Sequence, residues 1–263
     1  MQLIIKDKQI EYNDAMTWFD NLNEEKIFVF EHKDIYTAGK SIINNNIEKN
    51  INNIHNIPAI HTNRGGLWTW HGKGQVVIYF IYNLRKRKLP LNKFMSIIEN
   101  VVVKNVKNEL SKYDNTTNFN IFADNNKRGF WFKKNETIKE NNKKESETIK
   151  IQSKMENNIH QMENIDVFDN QQIQDNEKFG FIGLRITNGF VLHGISINYN
   201  NNLEYFDYIN PCGLGNVKIT SIKNILIENS KFYNQTQTLL DINNFKLSIG
   251  NDFLSALSNY DER

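Results

Sequence analysis

The single cysteine of this chain, Cys212, lies in Ile209-Asn210-Pro211-Cys212-Gly213. A lone thiol cannot form an intrachain disulfide, and it lacks the partner cysteines of a zinc knuckle. Proline before it and glycine after it suggest a tight turn that presents the sulfur at the lip of a cleft, where a thiol can act as a nucleophile. The plainer reading is a small buried hydrophobe. Upstream, Lys178 opens the run Lys178-Phe179-Gly180-Phe181-Ile182-Gly183. A lysine heading an apolar strand is either the solvated edge of that strand or a desolvated amine whose lowered pKa lets it serve as a base. A third cluster, Arg64-Gly65-Gly66-Leu67-Trp68-Thr69-Trp70-His71-Gly72-Lys73-Gly74-Gln75, interleaves glycines with aromatics and reads as a loop pressed against a ligand. It lacks the Gly-Lys-Ser/Thr ending of a nucleotide P-loop and the glycine spacing of a dinucleotide fold.

His71 and His193 each precede glycine. They could bind metal, but no third ligand stands at a recognisable spacing. Either could pair with Cys212 in a Cys–His arrangement. The preferred reading is hydrogen bonding that shapes pocket loops, and His32 is read the same way. The run Arg85-Lys86-Arg87-Lys88 is a solvated loop or a docking patch for an acidic carrier protein.

Gln75 to Leu84 is apolar at nearly every position, as expected of a strand buried on both faces. An amphipathic helix is expected over roughly Asn92 to Lys112, with Phe94, Ile97, Ile98 and Val101 on one face. Paired strands are expected at Phe119–Ala123 with Gly129–Lys133, and at Lys178–Ile186 with Gly189–Tyr199. Short helices are expected near Asn13–Leu22 with Asn13 as cap, at Leu203–Ile209, from Thr220 or Ser221 to Ile227, and near Asn251–Asn259. Tyr36 to Lys40 reads as a turn-like end, and Asn44 to Asn56 as an Asn-rich connector. Lys134 to Glu177 contains no Pro or Gly and is dominated by Asn, Lys, Glu, Gln and Ile. It reads as a disordered insertion with a transient helix around Ser153–Gln161, inside a single domain spanning residues 1–263.

The bulk properties narrow the class. Seventeen Phe, 10 Tyr and 4 Trp within an apolar content of 39% suffice for a core, and a net charge of +2 carries no global field for nucleic acid. One cysteine fits a reducing compartment. The start shows no signal or transit pattern, and the longest apolar run, Val76 to Tyr82, is too short to span a bilayer. The expectation is a soluble, cytoplasmic protein.

EHKDIYTAGK, RGGLWTWHGKGQ, KFGFIGLR, the His193-Gly194 pair followed by Asn198, and INPCG with Thr220-Ser221 behind it together resemble the lipoyl(octanoyl) transferase family. That family has the biotin/lipoate protein ligase fold. The resemblance runs from about Glu31 to Ser221, interrupted by the insertion. It implies an α+β domain, with a large mixed sheet covered by helices on one side and a smaller sheet from the C-terminal region. It also implies transfer of an octanoyl group from octanoyl-acyl carrier protein, through a Cys212 thioester, to a lysine of apo lipoyl domains of 2-oxoacid dehydrogenase complexes or the glycine cleavage H protein. No cofactor, metal, nucleic acid or membrane is implied. Cys212 becomes the nucleophile and acid/base partner, and Lys178 lowers its pKa and shuttles the proton. Arg64, Gly65, Gly66, Leu67, Trp68, Thr69, Trp70, His71, Phe181, Ile182, Gly183, Gly194, Ile195 and Ser196 match the substrate-binding segments. The chain departs from the family pattern at Lys73, where proline is usual, at Trp70 for tyrosine, and at Ser196 for alanine. The alternatives are an ATP-dependent lipoate or biotin ligase on the same fold, which needs a strand lysine but no cysteine, and a non-catalytic acyl- or carrier-binding protein. The Pro-Cys-Gly turn favours the transferase over the first, and the presence of both Lys178 and Cys212 weighs against the second.

Overall fold

The computed structural model describes residues 1–44, 51–124, 127–134, 176–211, 217–230, 233, 240–258 and 260. Cys212 and most of the expected insertion, including its expected helix, lie outside the described residues.

The fold is built around the apolar run at Gln75. Strand β7 (Gln75–Asn83) is hydrogen-bonded antiparallel to β2 (Lys26–Phe30) on one edge and β11 (Phe190–Asn198) on the other. They belong to an eight-stranded mixed sheet in the order β1-β2-β7-β11-β10-β9-β8, with β12 paired to β10. The remaining strands are β1 (Gln2–Ile5), β8 (Asn120–Asp124), β9 (Gly129–Lys133), β10 (Asn176–Thr187) and β12 (Lys218–Ile219). Because side chains alternate along a strand, β7 serves two cores. Val76, Ile78, Phe80 and Tyr82 pack with the helices α3 (Leu91–Tyr113), α4 (Ile222–Asn229) and α5 (Ile242–Ser258). Val77, Tyr79 and Ile81 pack on the other face with Ala15 and Met16 of α1 (Tyr12–Thr17), followed by Trp18, Phe19 and Leu22. The expected two-sided burial, the α3 stripe and both strand pairs are present.

A four-stranded sheet of order β4-β5-β3-β6 covers part of that second face. It comprises β3 (Ile35–Ala38), β4 (Asn53–Ile54), β5 (Ile57–His61) and β6 (Trp68–His71), and is followed in the chain order of β3 by the short helix α2 (Lys40–Asn44). The smaller sheet therefore comes from the N-terminal half and not the C-terminal region. Tyr36–Ala38, read as a turn, and Trp68–His71, read as a loop, are buried strands paired with each other. Their glycine neighbours masked short strands whose partners are distant in sequence.

The helix ends also differ from expectation. Glu11, not Asn13, precedes α1, which ends at Thr17. Leu203–Ile209 contains only a 3₁₀ turn at Glu204–Phe206. Ser221 caps α4 as expected, its Oγ accepting from Asn224 N–H at 3.2 Å. Helix α5 begins nine residues before the expected Asn251, at Ile242, where Asp241 Oδ1 accepts from the N–H groups of Asn243 and Asn244. Gly250 lies within the helix, where it packs on Leu3 and Val29 of the sheet; tertiary packing overrides its low helix propensity. No helix among the described residues is long and apolar enough to cross a membrane.

Lys134 and Glu177, the ends assigned to the insertion, are structured. Glu177 is 3% exposed in β10, and Lys134 Nζ lies 3.2 Å from its carboxylate. Lys133 and Asn176 are register partners, so the intervening segment connects adjacent ends of two antiparallel strands. Replacing residues 135–175 by an Asn-Gly turn is therefore expected to preserve cooperative folding. Closing a shorter loop should also stabilise, by about 0.6 kcal/mol for each halving of its length. Thermal unfolding followed by circular dichroism checks this, and loss of the cooperative transition would refute it.

Candidate active site

A cavity of about 730 Å³ opens between the large sheet and the smaller one. Its walls come from Arg64–Thr69 and His71 on one side, and from β10 and β11 on the other. Of the residues expected to bind substrate, all but Trp70 line it. Trp70 is turned into the core, stacked on Tyr205 at 4.7 Å with 1% exposure. Lys178 lines the cavity, and so does Pro211, the chain neighbour of Cys212.

A β-bulge aims Lys178. Lys178 is paired with Trp131 and Gly180 with Phe130, so Phe179 is an extra residue on β10. The extra residue reverses side-chain alternation. Phe179 and Ile182 pack toward the helical core, while Lys178 shares the cavity face with Phe181. The side chain is 4% exposed. Its Nζ donates to Arg128 O at 3.0 Å and more weakly toward Lys127 O at 3.4 Å. It lies 5.0 Å from the Trp131 ring centroid and 5.2 Å from that of Phe181, within reach of cation–π attraction. The sequence alternative of a solvated strand edge is thereby ruled out. Gly129 provides the space: with φ of 152°, a Cβ there would stand 2.5 Å from Lys178 Cε.

Arg64 orders the glycine loop. Its guanidinium donates to Thr37 O at 2.6 Å, Thr37 Oγ1 at 2.8 Å, Leu67 O at 2.9 Å and Gly65 O at 2.9 Å. These bonds tie the loop to β3 with planar, fixed geometry. Gly39 permits the approach, since a Cβ there would meet Gly66 O at 2.1 Å. The far end of the same segment is held by Glu31, whose Oε2 accepts from Gly74 N–H at 2.8 Å. Glu31 Oε1 lies 3.2 Å from Nζ of Lys246, a fully buried lysine on α5.

Three buried histidines cluster at the cavity: His71 and His193 line it and His32 stands behind. His32 places Nδ1 3.0 Å from Ile10 O and Nε2 3.0 Å from Tyr79 Oη. His71 places Nδ1 2.6 Å from Gln75 Oε1. His193 sits in the left-handed region at φ 59° and breaks the pairing of β11 with β7 at positions 192 and 193. Burial lowers the pKa of His32 to about 4 and of His193 to about 3, and pushes His71 well below its ordinary value. All three are neutral near pH 7. Residues that the sequence reading missed include Tyr79, Met95, Lys127 and Arg128 on the cavity wall. Tyr79 belongs to a strand with no polar alternation, and Lys127 and Arg128 are brought there only by the β8–β9 turn. In the basic run, Arg87 is not freely solvated, because Glu25 Oε2 accepts from it at 2.6 Å with both groups largely buried.

Residues 13–241 match the family model of the lipoyl protein ligase A/B catalytic domain. The chain belongs to this family. Among its relatives, an octanoyltransferase of Buchnera aphidicola subsp. Schizaphis graminum is 30% identical over 210 residues, covering 80% of this chain and 73% of that protein. An octanoyltransferase of Wigglesworthia glossinidia brevipalpis is 29% identical over 238 residues, covering 88% and 84%. A putative lipoate protein ligase from T. acidophilum superposes with a TM-score of 0.50 at 8% identity, covering 98% of this chain and 86% of that one. This last likeness concerns the fold alone, and agrees with an α+β domain of the lipoate ligase type.

The buried histidines make stability depend on pH. Their folded pKa values lie below the ordinary 6.5, so the unfolded chain binds protons first as pH falls. Stability is whole above about pH 6.5 and declines below it, down to about pH 4 for His32 and about pH 3 for His193. Urea unfolding at pH 5 is expected to show a loss on the order of 1–2 kcal/mol for each of His32 and His193 relative to pH 7. His193→Asn, which tolerates the same backbone region, should flatten the slope; an equal slope in that variant would contradict the assignment.

Proposed function

We propose that this protein transfers an octanoyl group from octanoyl-acyl carrier protein to a lysine of lipoyl domains in lipoate-dependent enzymes, through a thioester on Cys212. The observation that carries this reading is the buried amine of Lys178 in the same cavity as Pro211, the residue before the thiol. The octanoyltransferase relatives support it.

A nearby cation favours the thiolate, the attacking form of cysteine. In the first half-reaction, the Cys212 sulfur bonds to the acyl carbon of the donor thioester and the donor's carbon–sulfur bond breaks. A proton passes from Lys178 to the departing thiol. In the second, the amine of the acceptor lysine attacks the Cys212 thioester. Its lost proton returns the thiol and Lys178 to their starting states. Backbone N–H groups of the glycine segments are the candidates for stabilising the tetrahedral oxyanion. Leu67, Ile182 and Ile195 give the cavity apolar wall for the acyl chain. A free thiol nucleophile suits a reducing compartment, and we place the protein in the cytoplasm.

The test is intact-protein mass spectrometry after mixing with octanoyl-acyl carrier protein in the absence of ATP. One octanoyl adduct is expected on Cys212, lost when apo lipoyl domain is added as that domain gains the mass. Cys212→Ser should abolish transfer. Acylation of the domain only with ATP and free acid would move the chain to the ligase reaction. Gly129→Ala, whose added methyl intrudes on the Lys178 side chain, is expected to lower kcat/KM at least tenfold; an unaltered value would remove Lys178 from the mechanism.

A further inference from the structure

Two hydrogen-bond chains end at the cavity, and backbone carbonyls fix the direction of each. The first begins at Thr220 O, which can only accept. Asn198 must therefore turn Nδ2 toward it, at 3.0 Å, and Oδ1 toward Gln75. Gln75 donates from Nε2 to Asn198 Oδ1 at 2.9 Å and to Trp70 O, also acceptor-only, at 3.1 Å. Its Oε1 is left to face His71 Nδ1 at 2.6 Å. A carbonyl oxygen cannot donate, so Nδ1 carries the hydrogen. The ring is neutral, and Nε2 is then the bare nitrogen. The second chain begins at Ile10 O, which forces a hydrogen onto His32 Nδ1 and leaves His32 Nε2 to accept from the Tyr79 hydroxyl. Tyr79 uses its hydrogen there and keeps only lone pairs. His71 and Tyr79 both line the cavity. They give it a wall of acceptors, with the donor-only ammonium of Lys178 elsewhere on the same cavity.

We propose that Gln75 and Asn198 are positioning residues that hold His71 as its Nδ1–H tautomer, so that bare Nε2 accepts an N–H from the amine of the incoming lysine. The amine part of this inference rests on the function proposed above. An acceptor wall recognises an N–H donor and repels carboxylate or phosphate oxygens. Held through one N–H, the amine keeps its nitrogen lone pair free for attack on the thioester carbon. The nitrogen–carbon bond forms, the carbon–sulfur bond breaks, and the proton that the amine loses passes by way of the Cys212 sulfur to Lys178, which gave up its own in the first half-reaction. His71 takes no proton in this step. The arrangement is coupled to Lys178 through Thr220, whose N–H donates to Lys178 O at 2.9 Å while its carbonyl anchors Asn198.

Histidine-ring nitrogen–proton correlation NMR on the ¹⁵N-labelled protein at pH 7.5 tests the tautomer, with His71 assigned from the spectrum of His71→Gln. The expected pattern is protonated Nδ1 and bare Nε2. An Nε2–H pattern in the unsubstituted protein overturns the proposal whatever the variants do. In Gln75→Met the Nδ1–H preference should be lost. Transfer from preformed octanoyl-enzyme to apo lipoyl domain should then slow at least tenfold, with formation of the octanoyl-enzyme within threefold of normal. Equal slowing of both half-reactions, or an unchanged transfer rate, removes the positioning role. Failure of the unsubstituted protein to form any octanoyl-enzyme defeats the functional reading and the amine-orienting role with it, while the tautomer is still judged by the spectrum.

Discussion

Strand β7 must be covered on both faces, and the rest of the molecule follows from that requirement. Its even-numbered residues from Val76 to Tyr82 need an apolar layer, which α3, α4 and α5 supply. Its odd-numbered residues need another, on a face where the chain has only the segment around α1 and the small sheet. The second layer is thinner and interrupted by glycines. The cavity lies where it leaves β7, β10 and β11 uncovered. The large sheet is thus backed by helices on one face, and the candidate site lies on its less covered side.

Charges on that side are held by backbone atoms and buried partners more than by solvent. Arg64 bonds to three carbonyls and a hydroxyl. Lys178 is held by the carbonyls of the β8–β9 turn. Glu31, one residue past the end of β2, joins fully buried Lys246 of the helical layer to the backbone of Gly74 at the end of the cavity loop. A buried ion pair is weak evidence for net stability, but loss of one partner generally costs about 3–5 kcal/mol because the other charge is left unpaired. The pair therefore ties Gly74, at the far end of the cavity segment, to the packing of α5.

The polar interior has a direction as well as a location. Carbonyls at Thr220, Trp70 and Ile10 act as fixed acceptors, and each amide or imidazole between them and the cavity must orient accordingly. Burial keeps the imidazoles neutral, so the direction persists across the physiological pH range. In the proposed reaction, which brings an amine, an acyl chain and a thiolate to one site in turn, a wall that does not change charge between steps is an advantage.

Local sequence determined much of this. The unbroken apolar run at Gln75 identified the central strand, the spacing of Phe94, Ile98 and Val101 identified α3, and the adjacent runs Lys178–Ile186 and Gly189–Tyr199 identified the β10–β11 hairpin. The clustering of Arg64 to His71 with Lys178 and Phe181 was legible because each lies in a dense motif. Tertiary structure alone decided what those motifs do to one another. Trp70 shares a motif with the cavity residues but turns into the core, since strand alternation and Tyr205 govern it and not its neighbours in sequence. The smaller sheet escaped detection because its strands are short and pair across long separations. Lys178 points into the cavity only because Phe179 bulges. That bulge is a matter of register between two strands, which residue types along one strand do not encode.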